Sequence, residues 1–356
     1  MKRIGNLYEK LCDPNNIRLA IKNASRHKSK KRNVAKVLAD PEGHCERLRQ
    51  MLISKDIKFG CKHLKTVRED NSGKVRQITV PSFFPDQILH WAVVQVLRPV
   101  LMRGMYEYSC GSIPGRGGMA AKKKVERILK NDKKVKYIAK LDVRKFFPSV
   151  SADKLLSLFE KKIKDRDMLW VIEQILIDGD GLPIGYYTSQ WFSNFYLQEL
   201  DHFIKEKLRV RHYVRYADDM VLLDTNKRKL HKARLQIEKF LTEGEHNLSL
   251  KDNWQVWRLD SRPLDFVGYR FTRKGTELRE HIFFHLNRIA RQIREKCLSI
   301  IRARRYISLI GWTKHINFKK YYTEHIRPLV SQRTVKRYVS RWDRKNNKEA
   351  IVHADY

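Results

Sequence analysis

Two short apolar runs that flank a polar tetrad form the clearest pattern along the chain. Residues 213–214 are apolar, residues 216–219 read Tyr-Ala-Asp-Asp, and residues 220–223 are apolar again. This order predicts a strand, a tight turn and a second strand. The turn would expose Asp218 and Asp219 together to solvent, where their carboxylates suit a divalent cation such as Mg2+. An acidic turn without a ligand is the alternative, because Asp is common in turns.

A third carboxylate stands in a matching context. Residues 136–141 alternate polar and apolar side chains, which predicts a half-buried strand, and Asp142 ends it. Pro148 stops any strand, and Ser151 is suited to cap a helix over residues 152–164. A carboxylate at a strand end, together with a carboxylate pair on a hairpin, is what two-metal phosphoryl transfer requires. One ion activates the attacking 3′ oxygen, and the other stabilises the leaving pyrophosphate.

Periodicity elsewhere predicts both helices and strands. Residues 64–67 and 75–80 are predicted to form hairpin strands around a turn at 70–73. Helical spacing predicts helices over residues 87–101, 190–208 and 229–241, and over most of the chain after residue 280. We expect the helix at 229–241 to cover the back of a sheet. The predicted fold class is therefore α+β.

These motifs resemble those of a known family. Asp142 followed by Phe147, and the tetrad at 216–219, are similar to the palm of reverse transcriptases. Four further segments resemble, in the expected order, the triphosphate-binding fingers motif, a Gly-rich fingers motif, a motif with a late active-site Lys and the primer grip: residues 73–81, 111–118, 247–251 and 266–269. The resemblance implies a right-hand polymerase with an antiparallel-sheet palm backed by helices, basic fingers and a small helical thumb.

The resemblance also divides the chain into four parts. We expect a basic helical N-terminal extension at residues 1–60, fingers at 61–135, the palm at 136–275, and a helical thumb with a C-terminal tail at 276–356. Arg-rich thumb helices suit the phosphates of a duplex, and each phosphate contact makes binding dependent on salt.

The resemblance implies a role for each catalytic residue. Asp142 and Asp218 would bind metal most directly, Asp219 would complete the catalytic carboxylates, and Val143 would contribute a backbone carbonyl. The implied cofactor is a pair of Mg2+ ions, for which Mn2+ is a possible substitute. The implied substrates are deoxynucleoside triphosphates, a template RNA and a primer or growing cDNA.

Six residues are candidates for binding the incoming nucleotide: Lys74, Arg76, Phe147, Ile184, Gly185 and Lys251. Lys74 and Arg76 alternate along one strand and so share a face that could meet the triphosphate; an ordinary basic strand face is the alternative. Phe147 could pack under the sugar, while Phe146 is the better candidate for the core. Lys251 could contact the triphosphate or could be a surface residue.

Four residues are candidates for contacting template or primer: Arg116, Gly268, Arg288 and Arg291. The loop at 115–118 is rich in Gly, but it lacks the Gly-Lys-Ser/Thr of a P-loop, so ATP hydrolysis is not supported. A template-backbone contact at Arg116 is the better interpretation, and an ordinary turn is the alternative.

One departure from most reverse transcriptases narrows the resemblance. Where they carry Gln-Gly and then Ser-Pro, this chain has Ile184-Gly185 and then Ser189-Gln190. That pattern, together with the N-terminal residues 6–12 and 23–24, is similar to reverse transcriptases of diversity-generating retroelements. The similarity implies copying of a template RNA with errors at adenines, mutagenic retrohoming into a variable region, and a basic accessory variability determinant as partner. We hypothesise that Ile184, which cannot donate the hydrogen bond of a Gln, contributes to these errors; simple packing is the alternative.

Three rival functions stay open at this point. A group II intron reverse transcriptase would share the palm but usually carries Gln-Gly, Ser-Pro and a further C-terminal domain. A retron reverse transcriptase has its own motifs, one of which residues 23–27 fit, although they lie well before the palm. A catalytically silent nucleic-acid-binding subunit would not need all three carboxylates.

The composition agrees with a polyanionic partner. The chain of 356 residues has 75 Lys and Arg against 39 Asp and Glu, a formal net charge of +36. Such an excess favours nucleic acid as the partner, with a membrane surface second. The longest apolar stretch, residues 88–102, is interrupted by polar side chains, so we expect no transmembrane span or membrane partner. Five scattered Cys and the absence of a signal-peptide pattern predict a cytoplasmic protein. The resemblance implies that it is encoded by a bacterium, an archaeon or a phage.

Overall fold

The computed structural model describes residues 3–68, 75–177, 181–243 and 246–352. It divides into two compact units. The first comprises Met1–Lys124 and Asp132–Arg258, and the second comprises Val125–Asn131 and Leu259–Tyr356. Residues 259–275, which the sequence analysis places with the palm, therefore belong to the second unit. The functional division into extension, fingers, palm and thumb stays a prediction.

The first unit contains two β-sheets. The smaller is a hairpin of β1 (His63–Arg68) and β2 (Val75–Val80), paired antiparallel from His63 opposite Val80 to Arg68 opposite Val75. Both predicted strands are thus confirmed, whereas the predicted turn at 70–73 lies outside the described residues. The larger sheet is antiparallel, with strand order β4-β5-β3-β6, and is built from β3 (Tyr137–Asp142), β4 (His212–Tyr216), β5 (Asp219–Asp224) and β6 (Gln255–Arg258).

Helices surround this sheet and form most of the core. Those of the first unit are α1 (Leu7–Cys12), α2 (Pro14–Ser25), α3 (Arg32–Ala39), α4 (Pro41–Ile53), α5 (Ile88–Met102), α6 (Gly117–Asn131, which continues into the second unit), α7 (Phe146–Ser149), α8 (Ala152–Glu160), α9 (Arg166–Ile177), α10 (Tyr187–Tyr196), α11 (Gln198–His202) and α12 (Lys227–Glu243). A wide helical turn at Phe203–Lys207 adjoins α11, and the segment Phe83–Gln87, which is kinked at an extended Phe84, leads into α5.

Helix α12 backs the sheet as predicted. It contacts β3, β5 and β6. Its buried side chains recur at helical spacing and form one apolar stripe: Leu230, Ala233, Ile237 and Leu241. The opposite side of α12 is rich in Lys and Arg, and the helix therefore needs the sheet to bury its stripe.

Two predicted helices differ from the structure. The helix expected over 152–164 has its Ser151 cap, which accepts a hydrogen bond from the Lys154 amide at 3.2 Å, but it ends at Glu160. The chain leaves the helix there because the backbones of residues 162 and 164 bond to Ile4. The helix expected over 190–208 begins earlier, at Tyr187, and is divided into α10, α11 and a wide turn.

The second unit combines a small sheet with helices. Strands β7 (Leu264–Phe266), β8 (Tyr269–Phe271) and β9 (Thr276–Leu278) form an antiparallel meander. The helices that follow are α13 (Glu280–Lys296), α14 (Ile300–Thr313), α15 (Lys319–Tyr321, extended by a wide turn at Tyr322–Ile326) and α16 (Gln332–Val352). Across the described ranges of both units, no helix has the length and apolarity needed to cross a membrane.

Candidate active site

The larger sheet brings the three predicted carboxylates to one end. Asp142 is the last residue of β3, and it lies directly opposite Asp219, the first residue of β5. Asp219 also faces Tyr216 across the hairpin, which leaves Ala217 and Asp218 as a two-residue turn. The β4–β5 hairpin and the antiparallel register therefore place Asp142, Asp218 and Asp219 next to one another.

Two lysines accompany the carboxylates. The Lys251 ammonium lies 2.6 Å from Asp142 Oδ2, and the Lys140 ammonium lies 3.4 Å from Asp219 Oδ2. The backbone also joins the first pair, because the Lys251 amide donates to the Asp142 carbonyl at 2.8 Å. Lys251 was a candidate from sequence for the triphosphate. Lys140 was not, although its position two residues before Asp142 in an alternating strand places both side chains on one face.

The carboxylates are half-buried, and the expectation that the turn exposes both to solvent is wrong. Desolvation raises the pKa of Asp218 to about 6, and the neighbouring charge of Asp142 adds to the rise. Burial likewise raises the pKa of Asp219 to about 6, against the opposing effect of Lys140. The cause is the packing around the hairpin, since an uncovered turn would leave both groups in water.

The residues fit a bound divalent cation in one respect. The Oδ1 atoms of Asp142 and Asp219 are buried and accept no hydrogen bond from any described residue. A buried acceptor without a partner is costly, and a cation would satisfy it. Within the described ranges, no group of three or more His, Cys, Asp or Glu side chains is spaced to hold an ion by itself. This agrees with Mg2+, which commonly takes one or two carboxylates and completes its shell with water and substrate phosphates.

The backbone of Val143 and the ring of Phe147 follow directly after Asp142. Val143 is buried and bridges to Leu250, which fixes the chain beside Lys251. Phe146 is 2% exposed, so its predicted place in the core is confirmed, while Phe147 is half-buried. Both residues lie in the short helix α7 and not in an extended segment.

The Ile184-Gly185 segment lies against the strand that carries Arg76. The Ile184 carbonyl accepts a hydrogen bond from the Thr79 amide of β2 at 2.8 Å. Gly185 has a φ of 121°, and a Cβ there would stand 2.2 Å from the Thr79 carbonyl oxygen, so only glycine fits. Arg76 is exposed on β2, and its neighbour Lys74 lies outside the described residues.

The candidates for template and primer contacts fall in both units. In the first, one Arg116 nitrogen donates to the Tyr106 carbonyl at 2.7 Å. In the second, Gly268 has a φ of 85° in the β7–β8 turn, and a Cβ there would stand 2.4 Å from the Trp312 ring. Arg288 and Arg291 are exposed on α13, where cationic side chains are available to phosphates.

Comparison with known proteins gives a family match. Residues 65–271, more than half of the chain, match the family model described as reverse transcriptase (RNA-dependent DNA polymerase). The chain is 32% identical over 113 residues to the retron Ec73 reverse transcriptase of Escherichia coli, covering 28% of this chain and 36% of the relative. It is 27% identical over 149 residues to the group II intron-encoded protein LtrA of Lactococcus lactis, covering 39% of this chain and 24% of the relative.

These matches span about a third or less of the curated relatives' lengths. Among solved structures, telomerase from Candida albicans in complex with a fragment of telomeric RNA is similar, with a TM-score of 0.48 and 13% identity over 77% of this chain and 58% of that one. Telomerase from Candida tropicalis gives a TM-score of 0.46 and 14% identity, covering 61% of this chain and 55% of that one.

Proposed function

The chain belongs to the reverse transcriptase (RNA-dependent DNA polymerase) family, and we propose that it extends a primer along an RNA template with deoxynucleoside triphosphates. The observation that carries the proposal is the meeting of Asp142, Asp218 and Asp219 at one end of an antiparallel sheet. Bound there, Mg2+ would supply Lewis-acid activation of the primer 3′ oxygen and charge stabilisation of the leaving pyrophosphate.

The residues of the chain would contribute by holding Mg2+ and the incoming triphosphate in place. Asp142, Asp218 and Asp219 would hold Mg2+, with the Val143 carbonyl as a further ligand. Lys251, whose ammonium is 2.6 Å from Asp142 Oδ2, would offer a positive charge to the triphosphate. Arg76, which lies in β2, and Lys74 would bind the triphosphate, because Arg offers a planar fork and Lys a point charge to phosphate oxygens.

The remaining candidates would shape the nucleotide and duplex sites. Phe147 would pack under the deoxyribose, and Ile184-Gly185 would line the nascent base pair. Arg116, Gly268, Arg288 and Arg291 would contact template and primer. The net charge of +36 supports this polyanionic ligand.

We further propose that the enzyme is the error-prone polymerase of a diversity-generating retroelement. The support is Ile184-Gly185 with Ser189-Gln190, in place of Gln-Gly with Ser-Pro, and the contact of Ile184 with the strand that carries Arg76. The finished cDNA would replace a variable region, and an accessory variability determinant would be the partner. Five scattered cysteines without a disulfide suit a protein working in a reducing cytoplasm, in a bacterial, archaeal or phage-encoded system.

A retron or group II intron reverse transcriptase of ordinary fidelity is the second candidate. The identity of 32% to the Ec73 retron enzyme and of 27% to LtrA favours it. Both candidates use the same carboxylates and differ in the accuracy of the copy, so the error spectrum separates them.

The deciding experiment gives the purified protein a primed RNA template, the four deoxynucleotides and Mg2+, and sequences the products. Asp218→Ala/Asp219→Ala serves as the inactive control, and Ile184→Gln tests the discriminating position. Product from wild type alone, with errors concentrated at template adenines and reduced by Ile184→Gln, supports the diversity-generating enzyme. Accurate product supports the second candidate. If wild type and Ile184→Gln both give no product, even after an accessory protein is added, the proposed polymerase activity is contradicted.

A further inference from the structure

A buried ion pair lies directly behind the turn that carries Asp218. Arg215 in β4 and Asp201 in α11 are both 0% exposed. The guanidinium donates two hydrogen bonds to the carboxylate, from Nε to Oδ1 at 2.8 Å and from Nη2 to Oδ2 at 2.6 Å. The Tyr213 hydroxyl donates to the same Oδ1 at 2.8 Å. This two-pronged contact fixes the direction of the third guanidinium nitrogen.

That third nitrogen points at the turn. Arg215 Nη1 donates to the Ala217 carbonyl at 2.9 Å and to Asn194 Oδ1 at 3.1 Å. Ala217 has a φ of 53°, in the left-handed region that residues with a Cβ rarely adopt. The hydrogen bond therefore holds a conformation that Ala217 itself disfavours, one residue before Asp218.

Asn194 holds the turn from the other side. It is 2% exposed, and its amide nitrogen donates to the Gly111 carbonyl at 2.7 Å. Gly111 lies so close to the turn that a Cβ there would stand 2.5 Å from the Ala217 nitrogen. The loop around Gly111 and the turn are therefore clamped together through one side chain.

Stability alone does not explain this arrangement. Taking an ion pair out of water carries a large desolvation penalty, and apolar residues of similar size often serve stability equally well. An apolar pair would lack a donor directed at the Ala217 carbonyl. The distinctive result of the ion pair is a fixed nitrogen at the base of the catalytic turn.

We propose that Arg215, Asp201 and Asn194 are positioning residues that lock the left-handed turn at Ala217 and so hold Asp218 beside Asp142. The proposal rests on the proposed polymerase function. It assigns these residues no contact with substrate; they act through the backbone of the turn.

The central test is a double-mutant cycle between Arg215→Lys and Ala217→Gly. Lysine keeps the charge opposite Asp201 but cannot reach Asp201, Asn194 and Ala217 together. We expect Arg215→Lys to lower kcat at least about 30-fold with little change in the KM for deoxynucleotides. Ala217→Gly alone gives the reference kcat for the cycle. Because glycine adopts the left-handed region freely, the double variant should regain about tenfold of the loss.

Two further variants separate positioning from stability. Asn194→Leu removes the hydrogen bonds of Asn194 to Gly111 and Arg215 and leaves the Arg215–Asp201 ion pair intact. This variant therefore tests the positioning role even if Arg215→Lys does not fold. Asp132→Asn is the matched control, since Asp132 pairs with Arg211 and His212 beside the opposite end of β4. It should lower Tm and leave kcat unchanged.

A binding measurement makes the test independent of activity. We expect Mn2+ titration followed by electron paramagnetic resonance to show weaker binding for Arg215→Lys and Asn194→Leu, and unchanged binding for Asp132→Asn. Unchanged kcat and Mn2+ affinity in Arg215→Lys and Asn194→Leu, or a loss that Ala217→Gly does not relieve, would overturn the positioning role. A wild type that stays inactive after an accessory protein is added would refute the polymerase, and the Mn2+ affinities would still test the clamp.

Discussion

The two β-hairpins of the first unit have the same pairing and opposite surroundings. The β4–β5 hairpin, which carries Asp218 and Asp219, buries its interior on both faces; Val214 and Leu222 are 0% exposed. The β1–β2 hairpin, which carries Arg76, has no such cover, and Leu64 and Val75 are 66% and 63% exposed. Antiparallel hydrogen bonding alone therefore does not decide how deeply a hairpin is buried.

The difference agrees with what each hairpin is proposed to do. Metal-binding carboxylates must keep their geometry, because small displacements of catalytic groups lower rates strongly. A side chain that receives a triphosphate can instead lie on a segment that opens at low free energy, as segments with few buried contacts do.

The largest effect should follow a change at the covered hairpin's partner strand. We expect Asp142→Asn to lower the single-turnover rate of primer extension by about 10³-fold or more, because it removes a charge that stabilises the reacting phosphate through Mg2+. Asp252→Asn is the matched control, since Asp252 follows Lys251 and is 89% exposed. It should stay within about twofold of wild type. Equal losses in the two variants would remove Asp142 from the site.

Hydrogen exchange should differ between the hairpins themselves. We expect backbone amides of β4 and β5 to exchange at least about 100-fold more slowly than those of β1 and β2, because the former open only with the core. Adding primer–template, a deoxynucleotide and Mg2+ should slow exchange in β1–β2 more than in β4–β5. The contrast fails if both hairpins exchange at one rate without ligands.

A change on the exposed hairpin should act on nucleotide affinity. We expect Arg76→Ala to raise the KM for deoxynucleotides by about tenfold, corresponding to the loss of about 1.4 kcal/mol from a charged hydrogen bond. Arg76→Lys should raise it less. Gln77→Ala is the control, because Gln77 follows Arg76 in β2 and its side chain faces the other way. An equal effect at Gln77 would show that the strand, and not the guanidinium, matters.

Both hairpins were predictable in position, since the predicted strands at 64–67, 75–80, 213–214 and 220–223 all lie within observed strands. In the larger sheet, alternation predicted β3, because a half-buried strand imposes a period of two. The apolar runs predicted β4 and β5, and the polar tetrad between them predicted the tight turn. Helix α12 followed from its apolar stripe. Local patterns of this kind depend only on neighbours in sequence.

The surroundings of the β4–β5 hairpin were not predictable. Arg215 follows an apolar run and precedes the turn, so the sequence gives no sign that it is fully buried; its partner Asp201 lies on another element. The half-burial of Asp218 and Asp219 depends on the packing of the whole hairpin. The division of the 190–208 helix and the early end of α8 likewise depend on tertiary contacts such as that of Ile4 with residues 162–164.

The last effect concerns stability and has opposite signs at two carboxylates near the same turn. The folded pKa of Asp218, about 6, is above the ordinary value of 3.8. Ionising this group therefore destabilises the fold, and the penalty grows as pH rises from the unfolded value and is complete above pH 6. We expect Asp218→Asn to stabilise the metal-free protein at pH 7.5 on the order of 1 kcal/mol, after allowance for solvent screening, which is a Tm gain of a few degrees.

Asp201→Asn provides the contrast, because it leaves Arg215 buried without its counter-charge and should destabilise by about 3–5 kcal/mol. Thermal unfolding at pH 7.5 and pH 5 checks both signs, and the gain from Asp218→Asn should shrink at the lower pH. Mg2+ should stabilise wild type and not Asp218→Asn, since the variant has lost a ligand charge. A Tm that falls in Asp218→Asn would mean that the carboxylate is held by favourable contacts. In that case the surrounding residues would not have to overcome repulsion between Asp218 and the neighbouring carboxylates in order to hold the hairpin in place.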